Sequence, residues 1–216
     1  MKFVCIFKTG GDYDINHVKA LYHNVTKHLV IDEFVCYTNS EDLPYELPIN
    51  FKPLIHNLPG KWSMIEAFRE KGKVIVTGLD TVFLRNSDVF EEIAEQCKSN
   101  EFYVIRSFNS RRTYGNGIMV WNGDWMRLLT DYANHEAIIK GYQLEQEWTF
   151  WKLKKEKAVI KVLNDVVDGI YSYKKKYTKA KPKDSRVLVF HGKPRPHECK
   201  NPLIIKEYPY KRFKHL

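Results

Sequence analysis

Apolar and polar positions along the chain change repeatedly between the spacing of strands and the spacing of helices. Residues 2–7 form a nearly continuous apolar run, which is typical of a parallel strand buried on both faces. Residues 17–29 instead place apolar side chains at helical spacing. Further strands are predicted over residues 34–37, 73–77, 82–84, 102–106, 117–121 and 187–190, and further helices over residues 63–70, 89–96, 124–132 and 145–155.

This alternation predicts an α/β fold with a mixed, mostly parallel sheet flanked by helices. No linker clearly divides the chain, so residues 1–216 are predicted to form a single domain, which suits the length. Two stretches are expected to be loops. One carries Pro44, Pro48, Pro53 and Pro59, and the other is the lysine-rich segment 174–183, interpreted as a mobile surface loop.

Composition narrows the class of protein. Hydrophobic residues make up 44% of the chain and aromatic residues 14%, which favours a globular protein over a disordered one. No apolar run approaches the roughly 20 residues that span a bilayer, and the N-terminal residues are predicted to be a strand rather than a signal peptide. Cys5, Cys36, Cys97 and Cys199 form no CxxC pair, and the first two lie in apolar runs, so they are predicted to be small buried hydrophobic residues. We therefore expect a cytoplasmic protein with reduced cysteines.

Charge is unevenly distributed along the chain, which has a net charge of +9. The C-terminal part, from about residue 151, holds 19 Lys and Arg against 6 Asp and Glu, whereas residues 1–150 hold 16 against 20. So basic a segment indicates an anionic partner such as nucleotide phosphates, nucleic acid or a membrane surface. The alternative is a basic surface that is simply solvated.

Polar side chains follow several predicted strands at the point where each strand ends. Residues 8–10 follow the first strand, Asn39 the second, Asp80 the strand at 73–77, and His191 the last strand. In parallel sheets, ligands bind beyond these carboxyl ends. A carboxylate such as Asp80 suits a hard divalent cation, although a single acid in this position also serves as an ordinary turn residue.

The loop at residues 191–197, HGKPRPH, combines several groups that bind anions or metals. His191 is a candidate metal ligand, and Gly192 allows the backbone to approach a phosphate closely. Lys193 and Arg195 carry the positive charge that a phosphate requires. The alternative is a basic proline-rich loop without a special role.

The remaining patterns in the sequence mainly exclude classes of enzyme. Glu145 stands at the start of a predicted helix, where helix capping alone explains an acid. The chain lacks GxxxxGK[ST], GxGxxG, GxSxG and HExxH patterns. These absences argue against ATPases, dehydrogenases, serine hydrolases and zincin proteases.

Taken in order, eight segments resemble glycosyltransferases of the Rossmann-like GT-A fold. The likeness is to family 8-like enzymes and small glycosyltransferases of bacteria and phages, and it spans nearly the whole chain. The segments are FKTGGDY (7–13), CYTN (36–39), GKWSMIEAF (60–68), KVIVTGLDTVFLRN (73–86), YGNGIMVW (114–121), LEQEW (144–148), SYK (172–174) and FHGKPRPH (190–197).

The resemblance implies a sugar-nucleotide donor, with a UDP-sugar favoured, and transfer that retains the anomeric configuration. It implies Mn²⁺ or Mg²⁺ held by Asp80 and His191, and a catalytic group of Gln146, Glu145 and Asp80. The implied donor-binding residues are Lys8, Thr9, Gly10, Asp12, Tyr13, Asn39, Lys61, Leu79, Asn116, Gly192, Lys193 and Arg195.

Two departures from the family pattern stand out. Gly78 replaces the first acid of the Asp-x-Asp motif, and Met64 stands where the family has a lysine, with Lys61 nearby as a substitute. Losing one carboxylate weakens the expected metal site. The alternative hypothesis is therefore a catalytically degenerate transferase scaffold that acts as a nucleic-acid-binding protein.

Two acceptor classes fit the expected transferase. A saccharide or lipid-linked glycan is the first. A hydroxymethylated pyrimidine in phage DNA is the second, because the basic C-terminal part suits a phosphate backbone. Nothing in the sequence indicates the oligomeric state.

Overall fold

A sheet of seven strands forms the centre of the computed structural model, which describes residues 1–56, 58–109, 113–130 and 135–213. A smaller sheet of three strands lies beside it. The strands are β1 (Lys2–Phe7), β2 (Glu33–Thr38), β3 (Ile49–Pro53), β4 (Lys71–Thr77), β5 (Thr81–Phe83), β6 (Glu101–Arg106), β7 (Tyr114–Asp124), β8 (Val159–Val162), β9 (Ile170–Ser172) and β10 (Val187–Val189).

Helices connect and flank these strands. They are α1 (Ile15–His28), α2 (Val89–Gln96), α3 (Arg127–Thr130), α4 (His135–Gly141), α5 (Glu145–Lys155), α6 (Thr178–Ala180), α7 (Pro202–Glu207) and α8 (Tyr210–Phe213). Three 3₁₀-helices (Gly60–Arg69, Leu163–Asp165 and Pro196–Glu198) and a π-helix (Tyr173–Tyr177) complete the described elements. No helix within the described ranges has both the length and the apolar character needed to cross a membrane.

The order of the strands brings the predicted polar residues to one edge of the large sheet. That order is β3-β2-β1-β4-β7-β6-β8. Strands β3, β2, β1 and β4 run parallel, β7 runs antiparallel to β4 and β6, and β8 runs parallel to β6. The carboxyl ends of β1, β2 and β4 therefore meet the start of β7, as the mixed, mostly parallel sheet of the prediction requires.

Both faces of the sheet are covered, which explains the continuous apolar run of β1. Phe3 and Cys5 pack in the cluster that contains Leu21 of α1, whereas Val4 packs in the opposite cluster with Trp62 of the first 3₁₀-helix. Successive side chains of a strand point to opposite faces, so both sets must be apolar. The four cysteines are free and buried, and for Cys5 and Cys36 burial was predicted from the apolar runs that contain them.

The small sheet, ordered β5-β10-β9, carries the C-terminal part of the chain to the end of β4. Strand β10 runs antiparallel to β5 and parallel to β9. The backbone N–H of Phe190 donates to the carbonyl oxygen of Asp80 at 3.0 Å. This pairing places the loop that starts at His191 directly beside Asp80.

Several predicted boundaries are wrong. The proline-bearing loop contains β3, an edge strand that tolerates Pro53 as its last residue because an edge strand has spare backbone groups. Short β8 and β9 were not predicted, since three or four residues show little periodicity. The helix predicted over 63–70 is instead the 3₁₀-helix Gly60–Arg69, and Glu70 follows it in extended backbone. Asp124 ends β7, so the helix predicted over 124–132 begins only at Arg127, and residues 131–134 lie outside the described ranges.

The lysine-rich segment 174–183 is not a loop throughout. It includes most of the π-helix Tyr173–Tyr177 and all of α6. Tyr177 is buried, and the ring of Tyr173 stacks on Phe190 with ring centroids 4.2 Å apart. The two tyrosines pack this segment against the protein. The prediction of a loop rested on the lysines and did not take these contacts into account.

Candidate active site

A cavity of about 980 Å³ opens at the edge of the large sheet where β1 and β4 end. It is lined by thirteen of the predicted site residues: Lys8, Thr9, Gly10, Asp12, Tyr13, Lys61, Leu79, Asp80, Asn116, Glu145, Gln146, His191 and Arg195. Met64, at the position of the family lysine, lines the cavity as well. The tertiary structure thus gathers residues from both ends of the chain around one space.

Three predicted donor-binding residues lie outside the lining. Asn39 exchanges hydrogen bonds with Thr9, accepting from its backbone N–H and donating to its hydroxyl, each at 2.9 Å. It therefore supports the first loop from β2. Gly192 has a positive φ of 77° and lies beside Lys174. Lys193 is the third of these residues. The pKa of Asp12 is lowered by the guanidinium of Arg195 and, to a smaller extent, by the charge of Lys193.

Asp80 is held by two donors at the end of β4. The hydroxyl of Tyr13 donates to its Oδ2 at 2.8 Å, and Nη1 of Arg195 donates to the same oxygen at 2.9 Å. Burial raises the pKa of this carboxyl despite those two contacts, which favour the charged form. The carboxylate of Asp80 is thus already ion-paired with the guanidinium of Arg195.

Arg195 joins the C-terminal loop to the first loop as well. Its Nη2 donates to Oδ2 of Asp12 at 2.9 Å, and its guanidinium lies 4.8 Å from the ring centroid of Tyr13. The carboxylate of Glu198 accepts from the backbone N–H of Arg195 at 2.6 Å. These contacts fix the guanidinium against one wall of the cavity.

Gly78 is the position where the family motif has its first acid. A Cβ atom placed on Gly78 would lie 2.7 Å from Oδ1 of Asp80, closer than a Cβ atom approaches another atom without a shift in position. The Asp80 side chain therefore occupies the space above the glycine. A second carboxylate at position 78 requires Asp80 to move.

His191 is engaged from the side of β9. Its Nε2 and the hydroxyl of Ser172 share a hydrogen bond of 2.6 Å, and its ring stacks on Phe108 with centroids 5.6 Å apart. Burial, together with the nearby Lys174 and Lys175, lowers the pKa of His191.

The side chains around Asp80 and His191 do not form the set of ligands that the expected divalent cation requires. Oδ2 of Asp80 is ion-paired, Gly78 provides no carboxylate, and His191 lies among lysines. Across residues 1–56, 58–109, 113–130 and 135–213, no three His, Cys, Asp or Glu side chains are grouped so as to hold a metal ion. Hard cations require several oxygen ligands. The metal remains a prediction from the resemblance, without support from these contacts.

Glu145 faces the cavity from the N-terminus of α5. Nδ2 of Asn116 donates to its Oε1 at 2.7 Å, whereas its Oε2 is buried without a hydrogen-bond partner among the described residues. The residue is 6% exposed, and burial raises the pKa of the carboxyl. An unsatisfied buried acceptor beside a cavity is costly unless a ligand donates to it. Gln146 lines the same wall.

Below the site, Gly117 permits close contact between the two sheets. A Cβ atom on Gly117 would lie 2.9 Å from Cγ1 of Val189 and 3.1 Å from Cδ1 of Ile105. Glycine at this position lets β7 pass directly beneath β10, so Asn116 and His191 come to the same cavity.

A histidine pair anchors the C-terminal loop to α1. Nε2 of His17 and Nδ1 of His197 share a hydrogen bond of 2.8 Å, and Nδ1 of His17 lies 2.8 Å from Oδ1 of Asp14. The hydroxyl of Tyr210 donates to Oδ2 of Asp14 at 2.6 Å. The hydroxyl of Tyr208 donates to the carbonyl oxygen of Leu79 at 2.7 Å. The segment after Arg195 thus braces the Asp80 turn.

Sequence reasoning missed the loop that follows β6. Ser107, Phe108 and Asn109 line the cavity, and Phe108 packs on His191. A usable signal existed, because these residues come directly after the strand predicted over 102–106.

Similar proteins were found by comparing structures and not by comparing sequences. No protein-family model matches the chain, and no curated protein sequence matches it. The apo form of the glycosyltransferase GlyE of Streptococcus pneumoniae TIGR4 is similar at a TM-score of 0.67 and 12% identity, over 97% of this chain and 59% of that one. A second GlyE structure gives a TM-score of 0.65 at the same identity and coverage. Mouse xyloside xylosyltransferase 1, in its apo form, has a TM-score of 0.55 at 10% identity, over 90% of this chain and 98% of that one.

The chain therefore spans 59% of the length of the GlyE structures. At these identities the likeness shows the fold. The predicted class, a mixed α/β fold with a mostly parallel sheet flanked by helices, is confirmed and is shared with solved glycosyltransferases.

Proposed function

We propose that the chain is a glycosyltransferase that moves a sugar from a nucleoside-diphosphate donor to an acceptor hydroxyl. The supporting observation is the single cavity that combines the first loop, Asp80, Arg195 and the pair Glu145 and Gln146. Its volume of about 980 Å³ suits a ligand of nucleotide-sugar size. The shared fold makes sugar transfer the first chemistry to test.

The donor lies along the cavity in this proposal. Residues 8–13 and Asn39 hold the base and ribose, with UDP as the favoured nucleoside diphosphate. Arg195 and Lys193 face the diphosphate, because a guanidinium and an ammonium stabilise phosphate oxygens. Glu145 and Gln146 take the sugar end, where the unpaired Oε2 of Glu145 accepts from a sugar hydroxyl.

Transfer replaces one bond to the anomeric carbon with another. The bond from that carbon to the diphosphate oxygen breaks, and its electron pair remains on the leaving diphosphate. The acceptor oxygen bonds to the same carbon with retention, and its proton passes to the departing phosphate oxygen. The reacting carbon carries oxocarbenium character, so the nearby Glu145 carboxylate stabilises it electrostatically.

A saccharide or lipid-linked glycan is the proposed acceptor, and hydroxymethylated DNA is the second candidate. Part of the basic excess beyond residue 151 is already paired with acids. Lys161 contacts Glu101 at 2.7 Å, and Lys152 contacts Glu156 at 2.6 Å. These pairs reduce the charge available to a phosphate backbone, which supports the proposal of a saccharide as the first candidate.

Donor hydrolysis and transfer test the proposal. The protein is incubated with a panel of sugar nucleotides, with and without Mn²⁺, and release of nucleoside diphosphate is measured by chromatography. Oligosaccharides and hydroxymethylated DNA are then offered separately as acceptors. Asp80→Asn is expected to abolish release, because the substitution loosens Arg195. A salt-sensitive DNA mobility shift without any diphosphate release would instead support the nucleic-acid-binding alternative.

A further inference from the structure

The cation position beside Asp80 is occupied by a side chain of the protein itself. Nη1 of Arg195 lies 2.9 Å from Oδ2 of Asp80, and both side chains are 16% exposed. The same guanidinium pairs with a second acid, because its Nη2 lies 2.9 Å from Oδ2 of Asp12. The geometry is that of one positive charge held between two carboxylates.

Gly78 makes this arrangement part of the local fold. Because a Cβ at position 78 would lie 2.7 Å from Oδ1 of Asp80, the glycine leaves room for the conformation in which Asp80 pairs with Arg195. The departure at position 78 and the ion pair therefore belong together. Resting on the proposed function, we infer that Arg195 supplies the positive charge at the donor diphosphate, so that the protein binds its donor without a divalent cation.

The two carboxylate partners of Arg195 are unequal. The side chain of Asp12 is 57% exposed, whereas that of Asp80 is 16% exposed. Exposed ion pairs contribute little free energy, because water competes for both charges. A diphosphate oxygen therefore displaces Asp12 and leaves the less exposed Asp80 contact in place.

Arg195 has donors to spare for this exchange. A guanidinium carries five N–H groups, and the contacts to Asp12 and Asp80 use one on each terminal nitrogen. The Asp80 contact and the Tyr13 ring 4.8 Å away hold the plane of the group. Charge stabilisation of this kind acts on the leaving oxygen as the bond to the sugar breaks.

Isothermal titration calorimetry with nucleoside diphosphates tests the inference without relying on turnover. UDP, ADP, GDP, CDP and dTDP are titrated into the protein in EDTA and again in Mn²⁺. We expect one of them to bind with a Kd that differs by less than about threefold between the two conditions. This limit corresponds to about 0.7 kcal/mol of binding free energy. Binding that requires Mn²⁺ and is lost in EDTA would overturn the inference while leaving the proposed transferase intact. Absence of binding under both conditions would overturn the proposed function itself.

Variants on either side of the guanidinium sharpen the test. In EDTA, Arg195→Ala is expected to weaken diphosphate binding by about tenfold or more, and Arg195→Lys by less, because a lysine keeps the charge but not the fork of donors. Asp12→Asn is expected to tighten binding, because it removes the competing carboxylate. An Arg195→Ala variant that melts as a folded protein and binds as tightly as the wild type contradicts the inference.

Arg127→Ala is the matched control. Arg127 also pairs with an acid, Glu156 at 3.3 Å, and lies 5.0 Å from the ring centroid of Trp125. It does not line the cavity. Its removal is expected to leave diphosphate binding unchanged, which separates the loss of a local charge from the loss of any paired arginine.

Discussion

Nη1 of Arg195 donates to Oδ2 of Asp80 at 2.9 Å, although the two residues are 115 positions apart in the chain. The contact joins the loop after β10 to the turn after β4. It exists because β10 pairs with β5, which brings Val189 opposite Thr81. One ion pair thereby connects the small sheet, the large sheet and the wall of the cavity.

This ion pair is expected to couple the two residues energetically. Single variants Arg195→Ala and Asp80→Asn and the double variant form a cycle whose coupling free energy we expect to be about 1–3 kcal/mol. The physical reason is that either single change leaves a largely buried charge without its partner. Urea unfolding at pH 7 measures the cycle. Additive effects within about 0.3 kcal/mol would show that the contact does not stabilise the fold.

Glu145 is expected to matter for transfer and not for folding. Glu145→Gln preserves the acceptor for Asn116 and removes a buried charge whose Oε2 has no partner among the described residues. We therefore expect an unchanged or higher melting temperature and a turnover lower by about 100-fold or more. Glu136→Gln, on the exposed side of α4, is the control for loss of an acid. Normal turnover in Glu145→Gln would remove this carboxylate from the mechanism.

Gly117 is expected to be intolerant of even a methyl group. Gly117→Ala places a Cβ 2.9 Å from Val189 and 3.1 Å from Ile105, within a packed core, and should lower the free energy of unfolding by about 1–3 kcal/mol. Chemical denaturation measures the change. Gly11→Ala is the matched control, since a Cβ there meets no atom within 4 Å. Equal stability of the two variants would refute the close-contact explanation.

The cluster around His17 is expected to make stability depend on pH. Burial lowers the pKa of His17, and this effect outweighs the opposing influence of Asp14. The unfolded chain therefore binds a proton at this residue at higher pH than the folded chain does. The contribution of His17 to the free energy of unfolding is complete above the ordinary histidine pKa of about 6.5 and is lost as the pH falls below it.

Urea unfolding between pH 7 and pH 5 tests this dependence. His17→Gln is expected to flatten the decline of the unfolding free energy over that range. Tyr210→Phe removes the hydrogen bond to Asp14 but keeps both imidazoles, so it should lower stability by a similar amount at each pH. An unchanged slope in His17→Gln would assign the pH dependence to other groups.

Local spacing in the sequence determined much of the framework. The helices predicted over 89–96 and 145–155 match α2 and α5, because apolar periodicity reports which side of a segment is buried. The strands β1 and β4 were recognisable for a different reason, because a continuous apolar run is typical of a strand buried on both faces. Since the carboxyl ends of parallel strands share an edge, the placement of residues 8–13 and Asp80 at one cavity followed from the prediction of a mostly parallel sheet.

Only the tertiary structure decided which side chains meet there. Strands close to β5 and β10 were predicted and β9 was not, but the spacing does not indicate that β10 pairs with β5, and that pairing brings Arg195 to Asp80. Local spacing contains no information about partners so far apart in the chain. From sequence, Gly78 was a missing carboxylate. In the fold, it is the space into which Asp80 turns, because packing rather than spacing sets the conformation of a buried side chain.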